Sequence, residues 1–215
     1  MIVKDIVAGS LTGWGDTLYF LSSGLWKSDG TEAGTVKVSD VFVNGSLSLA
    51  GGMLYFEGWE EETGGELWRS DGTEAGTVLV RDIAPGPAYS FPRRFAEVGG
   101  ILYFVAEDGT HGEELWKSDG TETGTVMVRE IWPGGESHPS RLTQVGSALY
   151  FSAEDGAHGR ELWRSDGTGA GTVLVADLHL GRGSSNPGPI TGLGGVVFFS
   201  ATTPSTGREL WMVPA

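Results

Sequence analysis

The sequence repeats one stretch, Glu66-Leu67-Trp68-Arg69-Ser70-Asp71-Gly72-Thr73, with small changes. It returns as Glu114–Thr121 and as Glu161–Thr168, as a variant at Gly24–Thr31, and in truncated form at Glu209–Trp211. The five tryptophans of these copies are 42, 48, 47 and 48 residues apart. An internal repeat of this period is typical of solenoids, propellers and repeat arrays.

Each copy lies within a longer unit of four short extended segments. An aromatic pair precedes every tryptophan, and a valine-rich run follows the first four copies. Gly-Gly and Asp-Gly turns between β-branched or aromatic runs are strong hairpin signals, and no stretch has helical periodicity. Four antiparallel strands in about 47 residues make one blade of a β-propeller. The aromatic pairs are Tyr19-Phe20, Tyr55-Phe56, Tyr103-Phe104, Tyr150-Phe151 and Phe198-Phe199.

The two ends of the chain complete each other. The fifth copy stops before its valine-rich run, while the chain begins with an orphan run, Ile2–Ile6, that matches Leu79–Ile83. Such a permutation is not expected in a linear solenoid, because the two ends of a solenoid are covered by polar caps and do not meet. We therefore predict an all-β, five-bladed β-propeller with four-stranded antiparallel blades, closed by the N-terminal strand. A five-fold β-sandwich array is the alternative, and it leaves the orphan run unexplained.

We expect a single domain over residues 1–215. The predicted blades cover residues 8–43, 44–84, 85–132, 133–179, and 180–215 completed by the closing outer strand, residues 1–7.

Composition excludes several classes of function. The 215 residues include 28 acidic and 14 basic side chains, a net charge of −14, and nucleic-acid binding requires a basic surface instead. No apolar run approaches the ~20 residues of a membrane span. The absence of cysteine excludes disulfides, thiolate metal sites and a cysteine nucleophile. Met1 leads directly into the orphan run, so we expect no signal peptide, and we expect a monomer.

The recurrent Glu-Leu-Trp and Asp-Gly-Thr motifs resemble those of the bacterial ELWxxDGT repeat proteins, which are abundant in myxobacteria. The resemblance covers nearly the whole chain, and the units are also distantly similar to the PQQ-type propeller repeat. It implies a propeller fold and an extracellular or cell-surface origin, and it implies no activity. The compartment therefore remains open.

The residues that recur in every copy are expected to be scaffold. The repeat tryptophans should pack between neighbouring blades, the alternative being five equal aromatic binding sites. The aspartate of each Ser-Asp-Gly-Thr should cap its own turn, because one carboxylate beside glycine and threonine does not make a calcium site. The glutamates before the tryptophans are expected to bond to a neighbouring blade. These acidic residues are Asp29, Asp71, Asp119 and Asp166, and Glu66, Glu114, Glu161 and Glu209.

The sequence contains few candidates for catalysis. It has no Gly-x-Ser-x-Gly elbow, no His-Glu-x-x-His and no phosphate-binding loop. A glycosidase needs carboxylates converging from the innermost strands, and the five predicted inner segments contain one acid, Glu97. We expect no catalytic residue, no cofactor and no metal. The alternatives are a loop carboxylate that reaches inward, and a metal site at His111 or at His158, each histidine with its own acidic neighbours.

Departures from the repeat indicate where a ligand binds. The connections between blades are shorter around the first two blades, which predicts a depression on the face formed by these connections and by the loops between second and third strands. Indoles on polar loops there can bind a sugar ring or a peptide side chain. The alternatives are indoles buried against their own loops, and an acidic scaffold that recognises proteins. The predicted ligand-binding residues are Trp59, Trp132, Tyr89, Arg93, His138 and Arg141.

Overall fold

The computed structural model describes residues 2–215, in which the only regular secondary structure is β-strand. Nineteen strands form five antiparallel sheets within these residues, four with four strands and the last with three. In each sheet the strands lie side by side in chain order. This organisation confirms the all-β prediction and the four-stranded unit of the first four repeats.

The strand boundaries follow the repeat. The first sheet contains β1 (Gly9–Trp14), β2 (Thr17–Ser22), β3 (Gly24–Ser28) and β4 (Val36–Ser39). The second contains β5 (Phe42–Ala50), β6 (Met53–Glu60), β7 (Gly64–Ser70) and β8 (Val78–Arg81). The third contains β9 (Arg93–Val98), β10 (Ile101–Ala106), β11 (Glu114–Ser118) and β12 (Val126–Arg129). The fourth contains β13 (Ser140–Val145), β14 (Ala148–Glu154), β15 (Arg160–Ser165) and β16 (Val173–Ala176). The fifth contains β17 (Ile190–Leu193), β18 (Val196–Thr203) and β19 (Gly207–Pro214).

Local turn chemistry sets these boundaries. Gly99 and Gly100 have φ of 61° and 87° and join β9 to β10, where Val98 pairs with Ile101. Two successive residues with positive φ make the turn whose twist matches that of a hairpin. After the third strand, the Asp71 carboxylate accepts hydrogen bonds from the backbone N–H of Thr73, at 2.9 Å, and from its hydroxyl, at 2.6 Å. The aspartates therefore cap their own turns, as the sequence predicts.

The core lies between consecutive sheets. Four apolar clusters join the first sheet to the second, and so on to the fifth. In one of them Trp116, 4 % exposed, packs with Tyr55 and Leu67 of the second sheet and Phe104 of its own. Truncating an aromatic side chain at such a position typically costs about 3–5 kcal/mol. Four of the repeat tryptophans thus pack between repeats, as expected, whereas Trp26 belongs to none of the four clusters; the four are Trp68, Trp116, Trp163 and Trp211.

The repeat glutamates fasten the connections that leave each sheet. The Glu66 carboxylate accepts hydrogen bonds from the backbone N–H groups of Ile83 and Ala84 and from the Ser90 hydroxyl, at 2.6–3.1 Å. Glu114 is bonded in the same way to the connection after β12. A buried carboxylate with several donors replaces the hydrogen bonds lost from water. Glu66, Glu114 and, likewise, Glu161 therefore fix the path of the chain into the next sheet, whereas Glu209 is exposed.

The inner strands succeed one another around the molecule. β1 packs against β5, β5 against β9, β9 against β13 and β13 against β17. No comparable packing joins β17 to β1 within residues 2–215. The outward side of the fifth sheet is open, with Leu210 73 % and Met212 67 % exposed.

The closing strand expected at residues 1–7 is absent from the part of the chain that the structure describes. Residues 2–8 form no strand, the fifth sheet ends at β19, and Met1 lies outside the described residues. The segment is held on the first sheet instead: Lys4 Nζ donates to the Thr35 carbonyl at 2.7 Å and lies 5.9 Å from the Trp26 ring centroid. Strand pairing requires backbones about 4.8 Å apart, and the fifth sheet is not packed against the first.

Candidate functional site

The candidate site begins with an extension of the β5–β6 hairpin. β5 has nine residues, because the short connection from the first sheet is itself extended, and it pairs Phe42 with Trp59 and Asn44 with Glu57. Since side chains alternate along a strand, these four lie on one face of the hairpin. The opposite face packs inward: the Trp68 indole lies so close to Gly58 that a Cβ there would be 2.6 Å from the ring. The backbone pairing thus sets two aromatic rings beside an amide and a carboxyl.

Tyr89 completes the site from the connection between β8 and β9. The path of this connection is fixed by Ser90, whose N–H donates to the Gly65 carbonyl at 3.0 Å. Gly65 leaves room for the phenol ring, because a Cβ there would lie 2.4 Å from Tyr89 and 3.0 Å from the Glu57 carboxyl. Tyr89 also stacks on Phe91, with ring centroids 5.4 Å apart and an interplanar angle of 20°.

We call the resulting cavity the aromatic pocket. Its volume is about 300 Å³. The rings are accessible, with Trp59 40 % and Tyr89 42 % exposed, whereas Glu57 is 9 % exposed. A pocket of this size lies at the small end of ligand sites, which span roughly 300–1,000 Å³. It is lined by Phe42, Asn44, Glu57, Gly58, Trp59 and Tyr89.

Burial dominates the electrostatics of the pocket. It raises the pKa of Glu57, because desolvation disfavours the carboxylate, while the Asn44 side chain and the charge of Arg93 act in the opposite direction. The Arg93 guanidinium contacts the Glu113 carboxylate, which also receives His138 Nδ1 at 3.1 Å. Arg93 therefore lies near Glu57 with its own charge already paired.

The structure brings some of the predicted ligand-binding residues together and separates others. Trp59 and Tyr89 line the aromatic pocket, the charge of Arg93 acts on the pKa of Glu57, and His138 is joined to Arg93 through Glu113. Trp132 lines a different cavity, with neighbours that include Glu154, Asp155 and Arg182. Arg141 is exposed in β13, with φ of 58°, at a register shift of the strand pair.

Trp132 is packed against glycines of its own surroundings. A Cβ at Gly135 or Gly156 would lie about 2.5 Å from atoms of its ring. Trp132 is also half-buried, so its faces are less available than those of Trp59. Trp132 is therefore partly buried against its own loop, which is one of the alternatives considered from the sequence. Trp59, in contrast, has an accessible ring.

Sequence reasoning missed three residues of the aromatic pocket: Phe42, Asn44 and Glu57. A signal for Glu57 was present, because it breaks the repeat at the residue after the aromatic pair. The equivalent residues of the other units are Leu21, Val105, Ser152 and Ser200. Phe42 and Asn44 carry no such signal, because the short connection has no equivalent in the longer repeats.

The loop histidines form pairs with aspartates. His111 Nδ1 lies 2.8 Å from Asp108, and His158 Nδ1 lies 2.8 Å from Asp155. The hydrogen bond raises the pKa of each histidine. Across residues 2–215, no group of three or more histidine, aspartate or glutamate side chains is arranged to hold a metal ion. Within the same residues, no helix has the length and apolar character needed to cross a membrane.

Comparison with known proteins supports the fold and identifies no family for this chain. The sequence matches no protein-family model and no curated protein. A solved structure of a protein assigned as TolB from Agrobacterium tumefaciens is 14 % identical, with a TM-score of 0.52, over 98 % of this chain and 78 % of that one. One from a study of two prolyl endopeptidases is 10 % identical, with a TM-score of 0.59, over 97 % and 34 %.

A puromycin-hydrolyzing peptidase of Mycobacterium tuberculosis is 11 % identical, with a TM-score of 0.55, over 97 % of this chain and 36 % of that one. The chain thus spans about a third of each of these two peptidase structures. At such identities the likeness concerns the fold alone. It supports a β-propeller-like, all-β architecture for the five sheets.

Proposed function

We propose that the protein is a non-catalytic binding module that holds a carbohydrate or a peptide segment in the aromatic pocket. The observation that carries this proposal is the set of accessible rings, Phe42, Trp59 and Tyr89, around the side chains of Asn44 and Glu57. Aromatic faces bury large areas of a sugar ring or an apolar side chain. An amide and a carboxyl beside them orient a ligand through hydroxyl or N–H groups.

The inner strands support a role without catalysis. Glu97 is the acid among β1, β5, β9, β13 and β17, and its carboxylate accepts a hydrogen bond from the Gly100 backbone in its own turn. Glycoside hydrolysis requires two carboxyl groups facing one bond. A single inner acid engaged in a turn does not provide that pair.

We also propose that the ring closes in solution through pairing of residues 2–6 with β19. Arg81 donates to the Thr125 carbonyl at 2.5 Å and lies 6.0 Å from the Trp116 ring centroid, in the next sheet. Lys4 makes the same two contacts with the first sheet, to Thr35 and Trp26. The orphan run therefore already contacts the first sheet in the way that the outer strand β8 contacts the third sheet, which follows it in the chain.

Closure makes the molecule a five-bladed propeller and a monomer, because the strand edge that would attract another chain is then covered. It also agrees with the proposed membership of the ELWxxDGT repeat proteins. The register of the other sheets sets Leu210 opposite Lys4, as Leu67 is opposite Arg81.

The alternative function is an acidic scaffold that recognises a protein. The net charge of −14 favours it, since a charged surface steers a basic partner. Such a scaffold would bind its partner without using the aromatic pocket and would lose the interaction at high salt.

A glycan array, run with calcium and with EDTA, and a peptide array test the proposal. We expect a hit that Trp59→Ala abolishes while folding is intact. Trp132→Ala reports on the second cavity and should keep the interaction. If both arrays are blank while a pull-down captures a basic protein equally well with Trp59→Ala, the scaffold replaces the binding pocket. Turnover of a glycoside or a peptide would contradict the non-catalytic assignment.

A further inference from the structure

Departures from the repeat concentrate at one junction. The aromatic pocket lies where the second sheet meets the connection to the third, and three of its residues replace the side chains found at the next two junctions. Glu57 stands where the next two repeats have Val105 and Ser152. Trp59 stands where they have Glu107 and Glu154. Tyr89 stands where they have Glu136 and Ser184. One junction has therefore exchanged small or charged side chains for aromatic walls and gained a carboxyl at its base.

The pocket has the form of an aromatic cage. Phe42, Trp59 and Tyr89 present exposed rings around a cavity of about 300 Å³, and Glu57 is covered below them. Gly65 opposite Trp59 admits Tyr89, so the cage depends on the backbone of β7 as well as on the rings. A cation over the face of such rings is attracted by their quadrupoles.

The charges around the cage favour a cationic ligand over an anionic one. Glu57 lies at its base, and Glu60, Glu61 and Glu62 follow at the end of β6 and in the turn to β7. A buried carboxylate is costly unless a cation pairs with it. The nearest cationic influence, Arg93, is engaged by Glu113, so its charge is partly neutralised. An anionic ligand would meet this field unfavourably, and a cationic one would complement it.

The small number of polar groups in the aromatic pocket limits the class of cation that fits it. Besides the Tyr89 hydroxyl and the Trp59 indole N–H, which belong to the aromatic walls themselves, the polar side chains of the lining are those of Asn44 and Glu57. A primary ammonium carries three N–H donors that would lose their water on entry, and a buried donor left without a partner is unfavourable. A fully alkylated ammonium has no N–H donor and exposes methyl groups to the rings.

We infer that the aromatic pocket binds a quaternary ammonium group, enclosed by Phe42, Trp59 and Tyr89 and paired with Glu57. The inference rests on the proposed function, because it assigns a ligand class to the same pocket. Free small molecules and the trimethylated lysine of a peptide share this group. The volume of the pocket suits a head group, with the remainder of the ligand outside.

Calorimetric titration with choline tests the inference, with 3,3-dimethylbutan-1-ol as the neutral molecule of the same shape. We expect saturable choline binding, and roughly tenfold weaker binding of the alcohol because the cation–π and carboxylate attractions are lost. Trp59→Ala should abolish choline binding, Trp59→Phe should retain part of it, and Trp132→Ala should leave it unchanged. Glu57→Gln should weaken choline binding several-fold, whereas Arg93→Gln should strengthen it.

A trimethyllysine peptide, compared with its unmodified lysine form, distinguishes the sources of the group. Tighter binding of the peptide than of choline assigns a peptide ligand, and the reverse assigns a small molecule. Equal binding of choline and the alcohol, or choline binding that survives Trp59→Ala in a folded protein, overturns the inference. No choline binding, together with a glycan hit lost on Trp59→Ala, overturns it while leaving the proposed function intact.

Discussion

Closure of the ring makes a quantitative prediction at Leu210. In this structure Leu210 is 73 % exposed, and truncating an exposed side chain changes stability by no more than about 0.5 kcal/mol. Its counterparts Leu67, Leu115 and Leu162 are fully buried between their outer strands and the neighbouring sheets. If residues 2–6 pair with β19, Leu210 is buried in the same way. Leu210→Ala should then lower the free energy of unfolding by about 2–5 kcal/mol.

Urea denaturation followed by tryptophan fluorescence measures this cost, and a calorimetric Tm should fall by roughly 5–15 °C. Leu180→Ala is the matched control, because Leu180 is 84 % exposed and its counterparts Pro85 and Pro133 are exposed as well. In a chain lacking residues 1–6, which should itself be less stable and prone to aggregation, Leu210→Ala should cost much less, since the strand that covers Leu210 is gone. Equal and small effects of both substitutions in the full chain would refute the closed ring.

Three further substitutions test other parts of the reasoning. Gly65→Ala should displace Tyr89 and weaken ligand binding at the aromatic pocket with little loss of stability, as measured by titration and by thermal melting. Burial raises the pKa of Glu66 from 4.5 to about 7, so the folded state keeps a proton that the unfolded state has released. Stability from this group is complete below pH ~4.5 and is lost as the pH rises to ~7, a fall of roughly 3 kcal/mol in the free energy of unfolding. Glu66→Gln should reduce that slope in urea titrations at pH 5 and 7.5, and an unchanged slope would contradict the assignment. Asp71→Ala removes both hydrogen bonds to Thr73 and should lower the Tm measurably in thermal melting, because a local cap of the turn is lost.

The sequence predicts the repeating parts of the molecule well because their causes are local. Glycine pairs with positive φ make the hairpin turns, and Asp71 with its equivalents closes the turn after the third strand. The period of the tryptophans then forces the same packing at each junction, as with Trp116 between the second and third sheets. These features require only neighbours in sequence and one repeated contact.

The candidate site is less predictable because it lies where the repeat fails. Trp59 and Tyr89 are identifiable as aromatic residues in irregular segments, but nothing in their spacing joins them to Phe42. Trp132 has the same composition signals as Trp59, and yet its ring lies against Gly135 and Gly156. Composition identifies candidate rings, and packing decides which faces remain accessible.

The all-β class, the four-stranded unit and the residues that cap and pack it follow from the sequence alone. That Phe42, Asn44 and Glu57 share a face with Trp59 follows only from the folded structure, because it depends on the register of β5 with β6. The contact of Lys4 with Thr35 of the first repeat likewise appears only in the folded structure. Strand formation is set by near neighbours, whereas register and the meeting of chain ends depend on contacts between residues far apart in sequence, which a local pattern does not specify.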